Sequence, residues 1–157
     1  MPNTNTPGLL QTGVIAALIA GTLDALAAVF ILAGGQLVVF QYISSAVMGK
    51  ESAYGGGTPT ILLGLFFHYI IAASFTLFFF LIYPRIAFLR KNAGVVAFLY
   101  GIFIFILMNR IVVPLTLIHV NPFNWFNAVK NCAILITCVA LPIVLARYWY
   151  ENKRKPA

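Results

Sequence analysis

Asp24, His68, Asn109 and Arg110 each interrupt a long apolar stretch of this 157-residue chain. An acid, an imidazole, an amide and a guanidinium set in such surroundings can pair, relay a proton or grip a polar solute. They cannot face lipid at little cost. A charge at the centre of a membrane-spanning helix costs about 2.5–3.5 kcal/mol on insertion scales, so it turns toward protein or trapped water. Asp24 and Arg110 are the expected ion pair, with His68 and Asn109 close by. Ser44 and Ser45 add two hydroxyls on a neighbouring segment.

Several chemistries can be built from these side chains. A buried Asp–His–Arg cluster can lock helix register and specify one bundle. Intramembrane Asp and His also serve proton and solute paths, although one carboxylate makes a sparse relay. Ser44 or Ser45 with His68 and Asp24 superficially resembles a hydrolase triad, but neither a nucleophile elbow nor an oxyanion hole accompanies it. His68, His119, Asp24, Cys132 and Cys138 show no metal-ligand spacing, and His119 reads as an interfacial residue. The Gly-rich run at residues 55–57 lacks the lysine and hydroxyl of a phosphate loop. Neither enzymatic activity nor a cofactor is expected.

The elements that must position these residues follow from composition. Hydrophobic residues make up 62% of the chain and charged ones 8%, with a mean hydropathy of +0.97. Soluble domains have about 25% charged residues, and no soluble fold of this size has interior enough for so much apolar surface. The net charge of +7 sits at the ends of apolar runs. It therefore suits anionic lipid headgroups rather than nucleic acid. The expectation is an all-α integral membrane protein, one transmembrane domain over residues 1–157. Its four spans lie at about 9–33, 59–83, 93–118 and 124–149.

Residues 9–47 are mostly apolar, and as one helix would reach about 58 Å, nearly twice a hydrocarbon core. Gly34-Gly35 break the run. A short interfacial or re-entrant helix at about 36–49 is expected next, with Gln41, Ser44 and Ser45 on one face. GKESAYGGGTP then reads as a loop without regular structure. In the first span Gly13, Ala17, Gly21 and Ala25 recur every fourth residue, a pattern that lets helices approach closely. Ala17, Ala20, Gly21 and Ala28 flank Asp24, while Ile15, Ile19, Leu26 and Val29 should meet lipid. Gly64 and Ala72 flank His68 in the same way. Pro114 and Pro142 free the carbonyls of Arg110 and Cys138. Asn124 is placed to cap the fourth span. Cys132 and Cys138 lie on different helix faces and read as small hydrophobes.

No positive charge precedes the first apolar run and Asp24 interrupts it, so a retained helix is expected rather than a cleaved signal. Arg85, Arg90, Lys91, Arg147, Lys153, Arg154 and Lys155 fall at one end of a four-span bundle. Only Lys50 and Lys130 fall at the other. That asymmetry puts both termini in the cytoplasm. Asp24, His68 and Arg110 then share one level, roughly 12–14 Å below the outer surface at 1.5 Å per residue.

The runs GTLDALAA, YISSAVMGKESAYGGG, GLFFHYIIA and LMNRIVVPL together resemble a family of small bacterial inner-membrane proteins with no established activity. The similarity extends from about Gly13 to Pro142. It implies four helices in a bacterial cytoplasmic membrane, with Asp24, Ser45, Gly49, Gly56, His68, Asn109 and Pro114 inside the shared motifs. Arg110 stands where that pattern is expected to be apolar. The functional expectation is a binding, assembly or structural membrane protein, with the bilayer and a second copy or another membrane protein as partners. The alternative is a small proton-linked or small-solute permease or channel, oligomeric because four short helices rarely enclose a path alone.

Overall fold

The structure, a computed structural model, describes residues 7–118 and 124–154. Among them are four helices long and apolar enough to cross a membrane: Leu9–Leu32, Gly57–Ile82, Ala93–Leu115 and Trp125–Lys153. A shorter apolar helix, Val38–Met48, lies between the first two. Every regular element among the described residues is helical. The all-α architecture expected from composition is the one observed.

Local chemistry sets the ends of these helices. Gly34 and Gly35 take positive φ values of 60° and 90°, which only glycine adopts without strain, and they turn the chain after the first span. Asn92 caps the third span by accepting from the amides of Gly94 and Val95. Asn124 caps the fourth by accepting from Asn127 at 3.1 Å, as expected.

The glycine-rich segment departs from expectation. Lys50–Gly55 forms a short helix, and the second span already begins at Gly57. Gly49 and Gly57, both at positive φ, make the two corners. Pro59 falls in the first turn of the span, where backbone N–H groups have no helical partner, so its missing donor costs nothing.

The larger buried apolar cluster extends toward the end of the bundle that carries the chain termini. Phe79, Val96, Ile104, Ile143 and Val144 are essentially inaccessible there. They join Ala16 and Ala20 of the first span in one cluster that draws on all four spans. The Tyr100 hydroxyl donates to the Phe75 carbonyl at 2.6 Å. Gly101 brings the third span so close to the fourth that a Cβ would overlap Ile136. Arg147, expected to mark the basic end, is instead 4% exposed. Its guanidinium lies 4.4 Å from the Tyr83 ring centroid and 5.3 Å from that of Tyr150. One nitrogen pairs with Glu151 at 2.7 Å, and Nε and Nη1 are buried without a hydrogen-bond partner.

The short helix Val38–Met48 packs alongside the first turns of the second span. Gly64 permits this, because a Cβ there would collide with the Phe40 backbone. Its polar face turns inward: Ser44 donates to the Thr60 carbonyl and Ser45 to that of Tyr42. The Leu117 amide donates to the Ala46 carbonyl at 3.1 Å, tying the short helix to the far end of the third span.

Candidate functional site

Asp24 and His68 meet at the interface of the first two spans. Small residues make the approach possible. A Cβ on Gly21 would come within 2.8 Å of the Tyr69 ring and 3.3 Å of Ala72. With that space open, His68 Nε2 reaches the Gly21 carbonyl at 2.8 Å. Its Nδ1 faces Asp24 Oδ2 at 3.9 Å, too far for a direct hydrogen bond. The Phe40 and Tyr69 rings stand edge-on to the imidazole, with centroids 6.1 and 5.7 Å away. The Tyr69 hydroxyl is engaged with that of Thr22 at 2.9 Å.

The carbonyl settles which ring nitrogen carries hydrogen. A carbonyl only accepts, so Nε2 donates to it. In the neutral ring Nδ1 is then an acceptor, turned toward a carboxyl group.

Both residues open into a cavity of about 230 Å³. Asn109 of the third span and Asn131 of the fourth reach its wall, as does Tyr42 of the short helix. Ile43, Phe75, Ile104, Met108 and Leu135 are among the side chains that make the remainder of the wall apolar. Burial, and then the neighbouring Tyr54, hold the Tyr42 phenol above its usual range, so it stays a neutral hydroxyl.

Three π-helical turns surround this space. They cover Ala28–Leu32 in the first span, Met108–Val112 in the third and Leu135–Ala140 in the fourth. Each supplies wall residues: Ala28 and Leu32, Met108 and Asn109, Leu135 and Val139. A π-turn inserts one residue and widens the helix, and such turns recur at functional sites. The second and third end just before or beside Pro114 and Pro142, whose missing N–H groups remove the α-helical bonds to Arg110 and Cys138.

The expected Asp24–Arg110 ion pair does not form. Asp24's partner among the described residues is His68, and Arg110 is exposed. Successive residues on a helix point about 100° apart. Asn109, itself exposed, lines the open edge of the cavity, and Arg110 is not among the wall residues. Val29 also departs from expectation: it is buried against Ala25 and Phe40, because the short helix covers a face that was expected to meet lipid. Ile15, Ile19 and Leu26 are exposed, as read from sequence.

The remaining candidates lie elsewhere. Ser44 and Ser45 spend their hydroxyls on backbone carbonyls and take no part in an Asp–His array. Gly13 and Ala17 line a separate apolar groove of about 600 Å³ between the first two spans. Gly64 serves the short helix, and Ala72 lines the cavity beside His68. His119 lies outside the described residues. Cys132 and Cys138 are free and half-buried. Sequence reasoning missed Asn131 and Tyr42. Asn131 could have been found as a second amide at comparable depth, seven residues into the fourth span from its cap.

No protein family, curated protein or solved structure matches the chain.

Proposed function

We propose that this chain is an integral membrane protein of the binding class, whose cavity receives a small solute with a polar head and an apolar body. One observation carries this reading. All four spans and the short helix place a polar side chain or a wall residue around one space, and the polar groups Asp24, His68, Asn109, Asn131 and Tyr42 converge there. A cluster that served only to lock helix register would be dry and mutually paired. Here the carboxyl and the imidazole stand apart across a gap of 3.9 Å.

The binding reading is favoured over a channel. The cluster of Phe79, Val96, Ile143 and Val144 fills the other half of the bundle, which opposes a continuous path within one chain. The Lys and Arg asymmetry, with seven cations near the termini and two at the far end, supports a cytoplasmic location for both termini. The resemblance noted from the sequence supports a bacterial inner membrane. The cavity then belongs to the outer half of the bundle.

Solute access is the direct test. In a chain with Cys132 and Cys138 replaced by serine, Asn131→Cys should react readily with a small methanethiosulfonate reagent. A reagent too bulky for about 230 Å³ should react far more slowly. A thiol at 131 that stays inert in the folded protein would reject the binding reading and leave the structural lock.

A further inference from the structure

We infer that the cavity is a site for a small protonated amine, bound in exchange for the single proton otherwise carried by Asp24 or His68; this rests on the cavity being a solute site. Among the described residues the wall carries one carboxyl group and neither Lys nor Arg, Arg110 being exposed and not among its residues. That composition disfavours an anion and favours a cation.

The hydrogen-bonding capacities point the same way. The Gly21 carbonyl holds the proton on His68 Nε2, so Nδ1 and the Asp24 carboxylate face each other as two acceptors 3.9 Å apart. Neither satisfies the other without a donor between them. Asn109 donates its Nδ2 to the Phe105 carbonyl at 2.8 Å, which leaves its side-chain oxygen as a further acceptor. An ammonium group has several N–H bonds and a positive charge. Adjacent N–H bonds reach two acceptors at this separation, and a third is left for Asn109. The apolar wall of Ile43, Phe75, Ile104 and Met108 suits a compact hydrocarbon body. At about 30 Å³ per water-sized group, the cavity has room for roughly eight non-hydrogen atoms.

Without the amine, a single proton resides on one member of the pair, on the carboxyl or on Nδ1. The amine enters as RNH₃⁺ and that proton leaves to solvent, so the charge of the site is conserved. The titratable groups facing this point are Asp24 of the first span, His68 of the second and Tyr42 of the short helix. Tyr69, beside His68, has its hydroxyl held by Thr22. Among the described residues, the third and fourth spans contribute the amides Asn109 and Asn131 and no ionisable wall residue. Lowering the pH refills the site with its proton, so amine affinity must fall in acid.

The test is calorimetric titration of the full chain in lipid nanodiscs with three probes of matched size: cyclohexylmethylamine, cyclohexylmethanol and cyclohexanecarboxylate. The amine should bind at least about tenfold more tightly than the alcohol, and the carboxylate should not bind. Repeating the titration in buffers of different ionisation enthalpy should count about one proton released per amine, with affinity falling up to about tenfold per pH unit in acid. Asp24→Asn should remove the amine preference, and Arg110→Ala should retain it. Equal binding of amine and alcohol, or no proton release by the native chain, would overturn the inference. Because the proton count needs no variant, a failure of Asp24→Asn to fold does not blunt it. Labelling at position 131 with no preference for the amine would sink the cation inference alone. An inert thiol at 131 would sink the binding reading as well.

Discussion

His68 owes its position to a residue without a side chain. Its Nε2 lies 2.8 Å from the Gly21 carbonyl, and that carbonyl is reachable because Gly21 lets the second span lie against the first. Gly21→Ala would drive a Cβ to within 2.8 Å of the Tyr69 ring. Overpacking of this kind costs about 1–3 kcal/mol, and here it also separates the imidazole from its acceptor. Gly13→Ala is the matched comparison, since its Cβ would meet Phe80 at an ordinary 3.5 Å. In denaturant unfolding from mixed micelles, Gly21→Ala should be clearly destabilised and Gly13→Ala close to native. Equal stabilities would mean that the contact at Gly21 yields easily and does not hold His68.

Three of the four spans, the first, third and fourth, are interrupted helices, and the interruptions coincide with the cavity. The π-turn at Leu135–Ala140 ends beside Pro142, which cannot donate to the Cys138 carbonyl. Pro142→Ala restores that donor and lets the regular α pattern run through. Restoring an interior helix bond should raise stability by about 1–3 kcal/mol. It should also rotate the preceding turns, drawing Leu135 and Asn131 away from their places in the wall. Labelling of Asn131→Cys should therefore slow several-fold in the Pro142→Ala background while the unfolding midpoint rises. An unchanged labelling rate would show that the turn does not shape the cavity. Stability given up to hold a space open is a common feature of binding sites.

Across the whole molecule the two halves differ in kind. The half away from the termini holds the cavity, and the half nearer them is a solid core closed by an aromatic cluster around Arg147. That guanidinium is 4% exposed, with two nitrogens unpartnered. A buried ion in such a setting is often replaceable by an apolar side chain of similar length, whereas removing only its counter-charge leaves it stranded. Arg147→Met should leave the thermal midpoint in detergent unchanged or raised, because Phe80, Tyr83 and Tyr150 can pack on a thioether. Glu151→Gln should lower it, by an amount reduced by the partial exposure of Glu151. The reverse order would make the cation–aromatic contacts the main support of this end.

Apolar run length and glycine punctuation determined the architecture from sequence alone, because a spanning helix needs about 20 apolar residues and Gly34-Gly35 cannot continue one. The same reasoning found Asp24, His68 and Asn109, since polar groups are costly against lipid and favour a polar cavity. Which of them meet was decided only by packing. The Asp24–Arg110 pair fitted depth and charge, but depth is a one-dimensional coordinate. Within the π-turn that begins at Met108, Asn109 lines the cavity and Arg110 does not. Asn131, Tyr42 and the inward-turned polar face of Val38–Met48 depend likewise on contacts between segments distant in the chain. No local periodicity encodes those contacts; close approach at Gly21, Gly64 and Gly101 creates them.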